Sequence, residues 1–553
     1  MCPSQRFCFV LILLACSVAS AQDYRGKVQG VVTDSSQAIV VGARVSLAND
    51  KTGIVSVKDT NASGRYYFDY VEPGSYTLSV EQPGFSKFVQ QNIVVQVAGD
   101  VTVNAGLAVG ALTEAVVVKE APVAVQFNTS TMQMTVDRKM LDELPAMARN
   151  PFTLALLDPA VVNRYFYQPN AHYPFFMYST SSLDLGGSTT QKNDLLLDGA
   201  PLSIGDKGSY SPPMDAVQEF SIQQNSVDAE FGHSAGGVMS LSMKSGTNEI
   251  HGSVYYFGRN PKLNAVSNAI TRAPNMVRNH IGGGTIGGPV LKNRLFTFGT
   301  YERWRTAQPL SAMSTLPTAL ERTGDYSQSI NGAGGLRTIY DPWSTKFTAA
   351  TGTVVRTPFP GNRIPQQRMD RLALLALKDH WLPNNPGDDQ TGINNFKLGY
   401  ARLFQYWNFS DRTDWNVNDK LKTFARYSRF SNTLAPQGWI QSRAAGFNGG
   451  IMASRNVAAD AVYLVSPRTV LNLRGSYSSF QDDLDNPASE VTEADYAAFW
   501  PNGWYKPYLK GMPKLYYPNV GPGMGRSNFW IQHPHNYSAH ARMSREQASH
   551  QLK

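Results

Sequence analysis

Residues able to do chemistry are few in this chain and poorly spaced for it. None of its nine histidines has a glutamate three residues on, and H-E-x-x-H is absent, so the ligand pairs of a zinc hydrolase are missing. Cys2, Cys8 and Cys16 are the only cysteines. A chain processed behind them has no thiolate nucleophile, disulfide framework or cysteine metal site. GGGTIG (Gly282–Gly287) has the spacing of a dinucleotide loop, but Pro289 follows and no helix begins there, so strand glycines are the better reading. QDDLDN (Gln481–Asn486) carries carboxylates that could ligate calcium, and His533, His535 and His540 are close in sequence; solvated loop side chains account for both. No Ser/His/Asp or paired-carboxylate set stands out. The expectation is a non-enzymatic protein without cofactor or metal, whose chemistry is binding.

Composition points the same way. The 553 residues exceed what one hydrophobic core supports, so several domains are expected. Only 17% are charged, while 26 Tyr, 26 Phe, 9 Trp and 46 Gly suit an extended β protein. The net charge of +8 is spread out and forms no Lys/Arg-rich run, which excludes nucleic acid as the implied partner. Residues 1–21 read as an export signal: Arg6, the apolar run Phe7–Cys16, then Ala19-Ser20-Ala21 as the cleavage site. Lipoprotein processing at Cys16 is the weaker rival, because Leu14 is bulky where such signals carry a smaller residue.

Short strands with Gly and Pro at their corners fill residues 22–110. They are GKVQGVVT, ARVSLAN, GIVSVKDT, GRYYFDYV, GSYTLSVEQ, NIVVQV and DVTVNAGL, the pattern of a β-sandwich. The phrases GVVTDSSQAIVVGARVSLAND and NASGRYYFDYVEPGSYTLSVEQPGF resemble the carboxypeptidase regulatory-like family. These are transthyretin-like sandwiches grouped with carbohydrate-binding-like folds. The resemblance brings no peptidase activity, and a periplasmic spacer is a better expectation than sugar binding. A β-branched linker follows at 111–124. In 125–248, Asp137–Leu144 and Pro151–Leu157 read as short helices, followed by NDLLLDGAPL and MDAVQEFSIQQNSVDAEFGHSAGGVMSLSMKSGTN. These phrases resemble the plug of TonB-dependent outer-membrane receptors, of the subgroup called Oar-like. Asp198, Gly199, Gly232, Gly236 and Gly237 carry the plug motif. The last three are expected where backbone passes close to a wall, with positive φ at some turns.

From 249 to 553 strands come in pairs with short turns between partners and long loops between pairs. The turns fall at Lys292-Asn293-Arg294, Val417-Asn418-Asp419 and Ser466-Pro467-Arg468. Leu471, Leu473, Gly475 and Tyr477 alternate with Asn472, Arg474, Ser476 and Ser478, the apolar-out, polar-in period of a transmembrane barrel. Trp407, Phe409 and Trp415 suit a lipid face and an aromatic girdle. A long loop is expected from Thr306 to about Tyr400. Seven or eight strands are expected where the family's barrel has about 22, and ARMSREQASHQLK lacks a terminal aromatic, so the chain reads as the front part of a longer receptor.

The fold class expected is mainly β: a transthyretin/Ig-like sandwich, an α+β plug, then an incomplete transmembrane antiparallel barrel. The resemblance implies an outer-membrane receptor for an unidentified extracellular ligand, with the sandwich in the periplasm. It also implies an inner-membrane TonB-like energising complex that grips a TonB-box strand. The candidate strand is Thr113, Glu114, Ala115, Val116, Val117, Val118 and Lys119. The alternative is an outer-membrane-associated adhesion or carbohydrate-binding protein without transport, whose ligand would be a glycan.

Overall fold

The computed structural model describes residues 23–552 except 111–114, 119–131, 145–148, 164–182, 188–191, 206, 225–233, 235, 269–272, 275, 379–380, 435–448, 486–491, 504–529 and 548–549. The expected export signal, with Cys2, Cys8 and Cys16, lies outside the described residues.

The sandwich forms where apolar residues alternate along short strands. β1 (Gly26–Asp34) pairs with β4 (Arg65–Val71) on one side and with the short β7 (Asp100–Thr102) and β8 (Ala105–Leu107) on the other. The facing sheet runs β3 (Val55–Asp59), β2 (Arg44–Asn49), β5 (Gly74–Glu81), β6 (Lys87–Val95) and β9 (Ala115–Val118). Inward Val28, Val32, Leu47, Phe68, Leu78 and Ile93 close the core between them. Residues 100–107 do not run as one strand. A Cβ on Gly30 would sit 1.8 Å from the Val103 carbonyl, so only glycine lets the chain cross there. The Asn104 side chain then takes the Val31 N–H at 3.0 Å and the pairing resumes beyond it. β6 also starts five residues before NIVVQV. The linker is corrected as well: its residues 115–118 are an edge strand of the sandwich, parallel to Lys87–Gln90.

The next unit is a five-stranded sheet in the order β10 (Met132–Val136), β13 (Val217–Gln224), β14 (Gly237–Met243), β11 (Asp194–Leu197) and β12 (Ala200–Pro201). All seven residues of β14 are buried, which explains its glycine-, serine- and methionine-rich composition. Helix α1 (Arg138–Glu143) is capped by Asp137, whose carboxylate accepts the Met140 N–H at 2.9 Å. Pro151–Leu157 is a 3₁₀ helix capped by Asn150.

A ten-stranded antiparallel wall follows: β15 (His251–Arg259), β16 (Arg278–Leu291), β17 (Leu295–Ser314), β18 (Phe396–Asn418), β19 (Leu421–Leu434), β20 (Gly449–Ser466), β21 (Thr469–Asp485), β23 (His535–Gln547) and β24 (His550–Leu552), with β22 (Trp530–Gln532) also on β21. The period of two is explicit. In β19 Phe424, Arg426, Ser428 and Phe430 are buried while Tyr427 is exposed; in β21 Asn472 and Arg474 are buried while Leu473 is exposed. Phe409 and Trp415 are likewise exposed. GGGTIG lies in mid-strand, paired on both sides, with no helix after it. Among the described residues β15 and β24 end the sheet and do not pair with each other.

The loop expected from Thr306 is shorter than its sequence suggests. β17 and β18 stay in register out to Ser314 and Phe396. The 23 residues of β18 would span about 75 Å at the usual rise, whereas a membrane strand needs only ~9–11 residues. Strand pairing is not limited to that length, so this hairpin is longer than a membrane crossing needs. At the other end the short turns meet the sandwich. Lys58 Nζ donates to the Pro467 carbonyl at 2.8 Å, Asn61 to Glu546 at 2.8 Å and Asn248 to the Thr52 carbonyl at 2.6 Å.

Chain passage from the five-stranded sheet to the wall is tightest at Gly246. A Cβ there would lie 2.5 Å from the Thr297 carbonyl oxygen and 2.6 Å from that of Gly288, both wall backbone that cannot swing aside. Gly246→Ala should therefore destabilise the folded protein by about 1–3 kcal/mol, read as a lower denaturant midpoint. Gly475→Ala, where a Cβ meets nothing within 4 Å, should leave the midpoint in place. Equal midpoints for the two variants would refute the close-approach account.

Candidate functional site

Asp198 and Gly199 form the two-residue loop between β11 and β12, where Leu197 pairs with Ala200. Both have positive φ, 50° and 72°, the requirement of a type I′ turn, and Asp-Gly is a preferred pair for it. The turn carries the Asp198 side chain to the wall, where it is fully buried. One carboxylate oxygen accepts Arg412 Nη1 at 2.8 Å and the Met243 N–H at 2.9 Å; the other accepts Arg426 Nη1 at 2.8 Å. Arg426 also donates to the Leu197 carbonyl at 2.7 Å. Burial alone would raise the Asp198 pKa, but the guanidiniums of Arg412 and Arg426 hold it below the usual carboxylate range.

Arg412 extends this contact to the sandwich. Its Nη2 donates to the Tyr24 hydroxyl at 3.0 Å, to Glu72 at 3.1 Å and to Asp414 at 2.8 Å. Tyr24 is itself completely buried, donates to Glu72 at 2.7 Å and packs edge-on against Phe424 of the wall. Beside it Arg25 pairs with Asp23 at 2.8 Å and with Asp460 at 3.0 Å, and Asp460 accepts Arg474 Nε at 2.8 Å. Burial opposes ionisation of Asp23, yet Arg25 and Arg474 hold its pKa well below the ordinary range. A cavity of about 430 Å³ adjoins this junction, lined in part by Arg25, Glu72, Arg412, Asp414 and Asp460.

Two further clasps hold the five-stranded unit. Arg149 pairs with Asp215 and with Glu302, the latter at 2.9 Å; Glu302 also accepts from Tyr255 at 3.0 Å and Trp304 at 2.8 Å. Toward the sandwich, Glu219 accepts the Val97 N–H at 2.7 Å while Gln133 donates to the Val97 carbonyl at 2.8 Å. Burial, aided by the charge of Asp137, pushes Glu219 up to about 8. Elsewhere the contact with the wall is polar at Tyr210, which donates to Asn408 at 2.9 Å, and at Ser245, which donates to Asp414 at 2.6 Å, and apolar where Trp304, Phe404, Tyr406, Phe430 and Phe480 join the core of the five-stranded unit.

Of the residues singled out in sequence, Asp198 and Gly199 sit at the centre of this junction. Gly237 opens β14, where a Cβ would lie 2.5 Å from the Gln223 carbonyl. Its constraint is space, and its φ is not positive. Gly236 is in the bend just before, and Gly232 lies outside the described residues. Ala115–Val118 form β9 on the sandwich, whereas Thr113, Glu114 and Lys119 lie outside the described residues. His533 meets Asp483 at 2.9 Å and His535 stacks on Tyr477. Among the described residues no three His, Cys, Asp or Glu side chains gather as a metal site. Sequence reasoning missed Tyr24, Glu72, Arg412, Arg426 and Asp460. For the wall arginines a signal existed: 412 shares the buried parity of 408 and 410, and 426 that of 424 and 428.

Two consequences are measurable. Asp198→Ala strands two buried guanidiniums and should cost about 3–5 kcal/mol in unfolding free energy; a cost below about 1 kcal/mol would mean the junction is wet and weak. Glu219 has a raised folded pKa, so between the unfolded value of 4.5 and about 8 the folded chain keeps a proton that the unfolded chain releases. Its contribution therefore falls as pH rises through that window. Denaturant midpoints of Glu219→Gln should fall less between about pH 4 and about pH 9, which bracket the window, than those of the parent; parallel profiles would refute the assignment.

Comparison with known proteins places these units. Residues 27–108 match the carboxypeptidase regulatory-like domain. The TonB-dependent transporter Oar of Myxococcus xanthus is 26% identical over 330 residues, covering 54% of this chain and 29% of that protein. The chain thus spans under a third of the length of that relative. Among the solved structures that align over 75% of the chain are a transporter and a receptor. The outer membrane transporter YddB from Escherichia coli does so at 10% identity, TM-score 0.41 and 45% of its own length. A mutant of the ferric enterobactin receptor PfeA from Pseudomonas aeruginosa does so at 11%, 0.39 and 46%. The outer membrane beta barrel domain matches residues 242–553, more than half of the chain, and the chain belongs to that family.

Proposed function

We propose that this chain is part of a TonB-dependent outer-membrane receptor that takes up an unidentified extracellular ligand. The wall crosses the outer membrane, the five-stranded unit is its plug, and the sandwich lies on the periplasmic side. The observation that carries this is the buried junction at Asp198. A plug fixed to the wall by side-chain pairs, with no covalent link there, can be seated firmly and still be moved. Sandwich contacts at the short turns agree, since such turns face the periplasm in outer-membrane barrels. The matched relative is named a TonB-dependent transporter, which supports the same reading.

No group in this mechanism makes or breaks a covalent bond. Ligand binds above the plug, and an inner-membrane TonB-like protein adds a strand to residues Thr113–Lys119. A pull there passes along the chain to β10, the edge strand of the plug sheet, whose loss exposes β13. Closure of the wall in lipid requires strands beyond the ten described, since unpaired backbone at β15 and β24 is too costly in hydrocarbon.

The purified protein should bind the isolated periplasmic domain of the TonB protein. Val117→Pro, which removes a strand donor, should lower that affinity at least tenfold, by a rough allowance for the lost pairing, while circular dichroism stays unchanged. Equal binding by parent and variant would overturn the placement of the TonB box, and binding by neither would overturn the receptor reading.

A further inference from the structure

The strand Ala115–Val118 is paired with the sandwich, and the manner of its pairing is informative. It runs parallel to β6, with Lys87 opposite Ala115, Phe88 opposite Val116, Val89 opposite Val117 and Gln90 opposite Val118. Among the described residues it ends its sheet, with one side of its backbone paired to β6 and no strand on the other. Val118 packs against the sandwich core, whereas Val116 and Val117 remain 46% and 47% exposed. Four residues of parallel pairing at an edge are a weak hold, because parallel ladders are slightly less stable per residue and half the valine surface is not buried. The strand is therefore ordered and cheaply released.

We propose that the sandwich is a latch. It stores residues 115–118 by parallel pairing with Lys87–Gln90, and the energising partner must take the strand off that edge before it can pull the plug. This rests on the reading above that the partner grips Thr113–Lys119.

Mechanical grounds favour removal over simple addition of a partner strand to the free edge. A strand still seated on β6 would pass the load to the sandwich, which is fastened to the wall through Arg25–Asp460, Asn61–Glu546 and Lys58–Pro467. Once released, the strand is covalently in line with β10, which holds the plug sheet by one edge only. The sandwich then sets a threshold: its competition lowers the partner's apparent affinity by the fraction of time the strand is docked.

A disulfide tests this directly. Val89 and Val117 are register partners, within the range a disulfide bridges, and the chain's own cysteines all lie at or before residue 16. The double variant Val89→Cys/Val117→Cys, as full-length protein in detergent, is titrated with the TonB periplasmic domain before and after reduction. The latch requires at least tenfold weaker binding when oxidised (a rough threshold for a strand that cannot leave its edge), restored on reduction. Equal binding in both states overturns it, since the partner would then use the docked strand. Binding that is absent in parent and reduced variant alike overturns the receptor reading and the latch with it. Hydrogen exchange on the parent protein gives a readout that needs no substitution. Adding the partner domain should raise exchange in peptides covering residues 87–90; unchanged or stronger protection there would contradict release.

Discussion

Two guanidiniums buried in a wall of β-strands need a carboxylate, and that need organises the junction. Arg412 and Arg426 are each about 1% exposed, and an uncompensated charge at such depth costs several kcal/mol. Asp198 reaches both from the plug because a type I′ turn sets it at the tip of a hairpin. That hairpin is held by parallel pairing of β11 with β14, and the Asp198 carboxylate takes the N–H of Met243, the last residue of β14. Three residues on, the chain must pass the wall at Gly246. The hairpin, the central strand and the exit are thus consequences of one charge pairing.

The same arginine reaches the sandwich, so three units share one ionic cluster. Arg412 joins Asp198, Asp414, Glu72 and Tyr24, while Arg25, Asp23, Asp460 and Arg474 form the adjoining half. With Arg426, which also pairs with Asp198, four guanidiniums face five carboxylates, and this pairing is what allows so many charges to sit out of water together. The sandwich is accordingly more than a tethered spacer, since its Tyr24 and Glu72 complete the hydrogen bonding of a wall residue.

Much of this was legible in sequence, and the boundary is physical. Strand parity in β21 could be read because lipid and lumen demand opposite side chains at alternate positions, and Asp198-Gly199 announces its own turn. Local caps at Asp137 and Asn150 were equally readable. Illegible were pairings between distant residues. Asp198 and Arg412 are 214 positions apart, and Tyr24 and Arg412 are 388 apart. Parity says that Arg412 and Arg426 point inward but not what they meet. The seating of Ala115–Val118 on the sandwich was hidden for another reason: a β-branched run has the same composition whether it is a free linker or an edge strand. Glycines divide similarly. Gly237 and Gly246 look alike in sequence to Gly475, and only the neighbouring backbone separates the two that cannot carry a side chain from the one that can.

The plug's contact with the wall has two halves that respond differently to force. Trp304, Phe404, Tyr406, Phe430 and Phe480 make an apolar half, whose separation costs about 25 cal/mol for each Å² exposed, whatever the path. In the ionic half the cost depends on what replaces each partner. Pulled apart dry, Asp198 and its arginines lose their mutual attraction with nothing in return. The cavity beside Glu72, Arg412, Asp414 and Asp460 changes that, because water entering it can solvate the charges as they part. On the receptor reading proposed above, a pull arriving from β10 would reach the sandwich-facing clasp of Gln133 and Glu219 on Val97 before it reached Asp198. Opening that clasp first would admit water to the ionic half and leave the apolar half to set the final resistance. On that receptor reading, the order of release would follow from where charge, cavity and strand edge are placed.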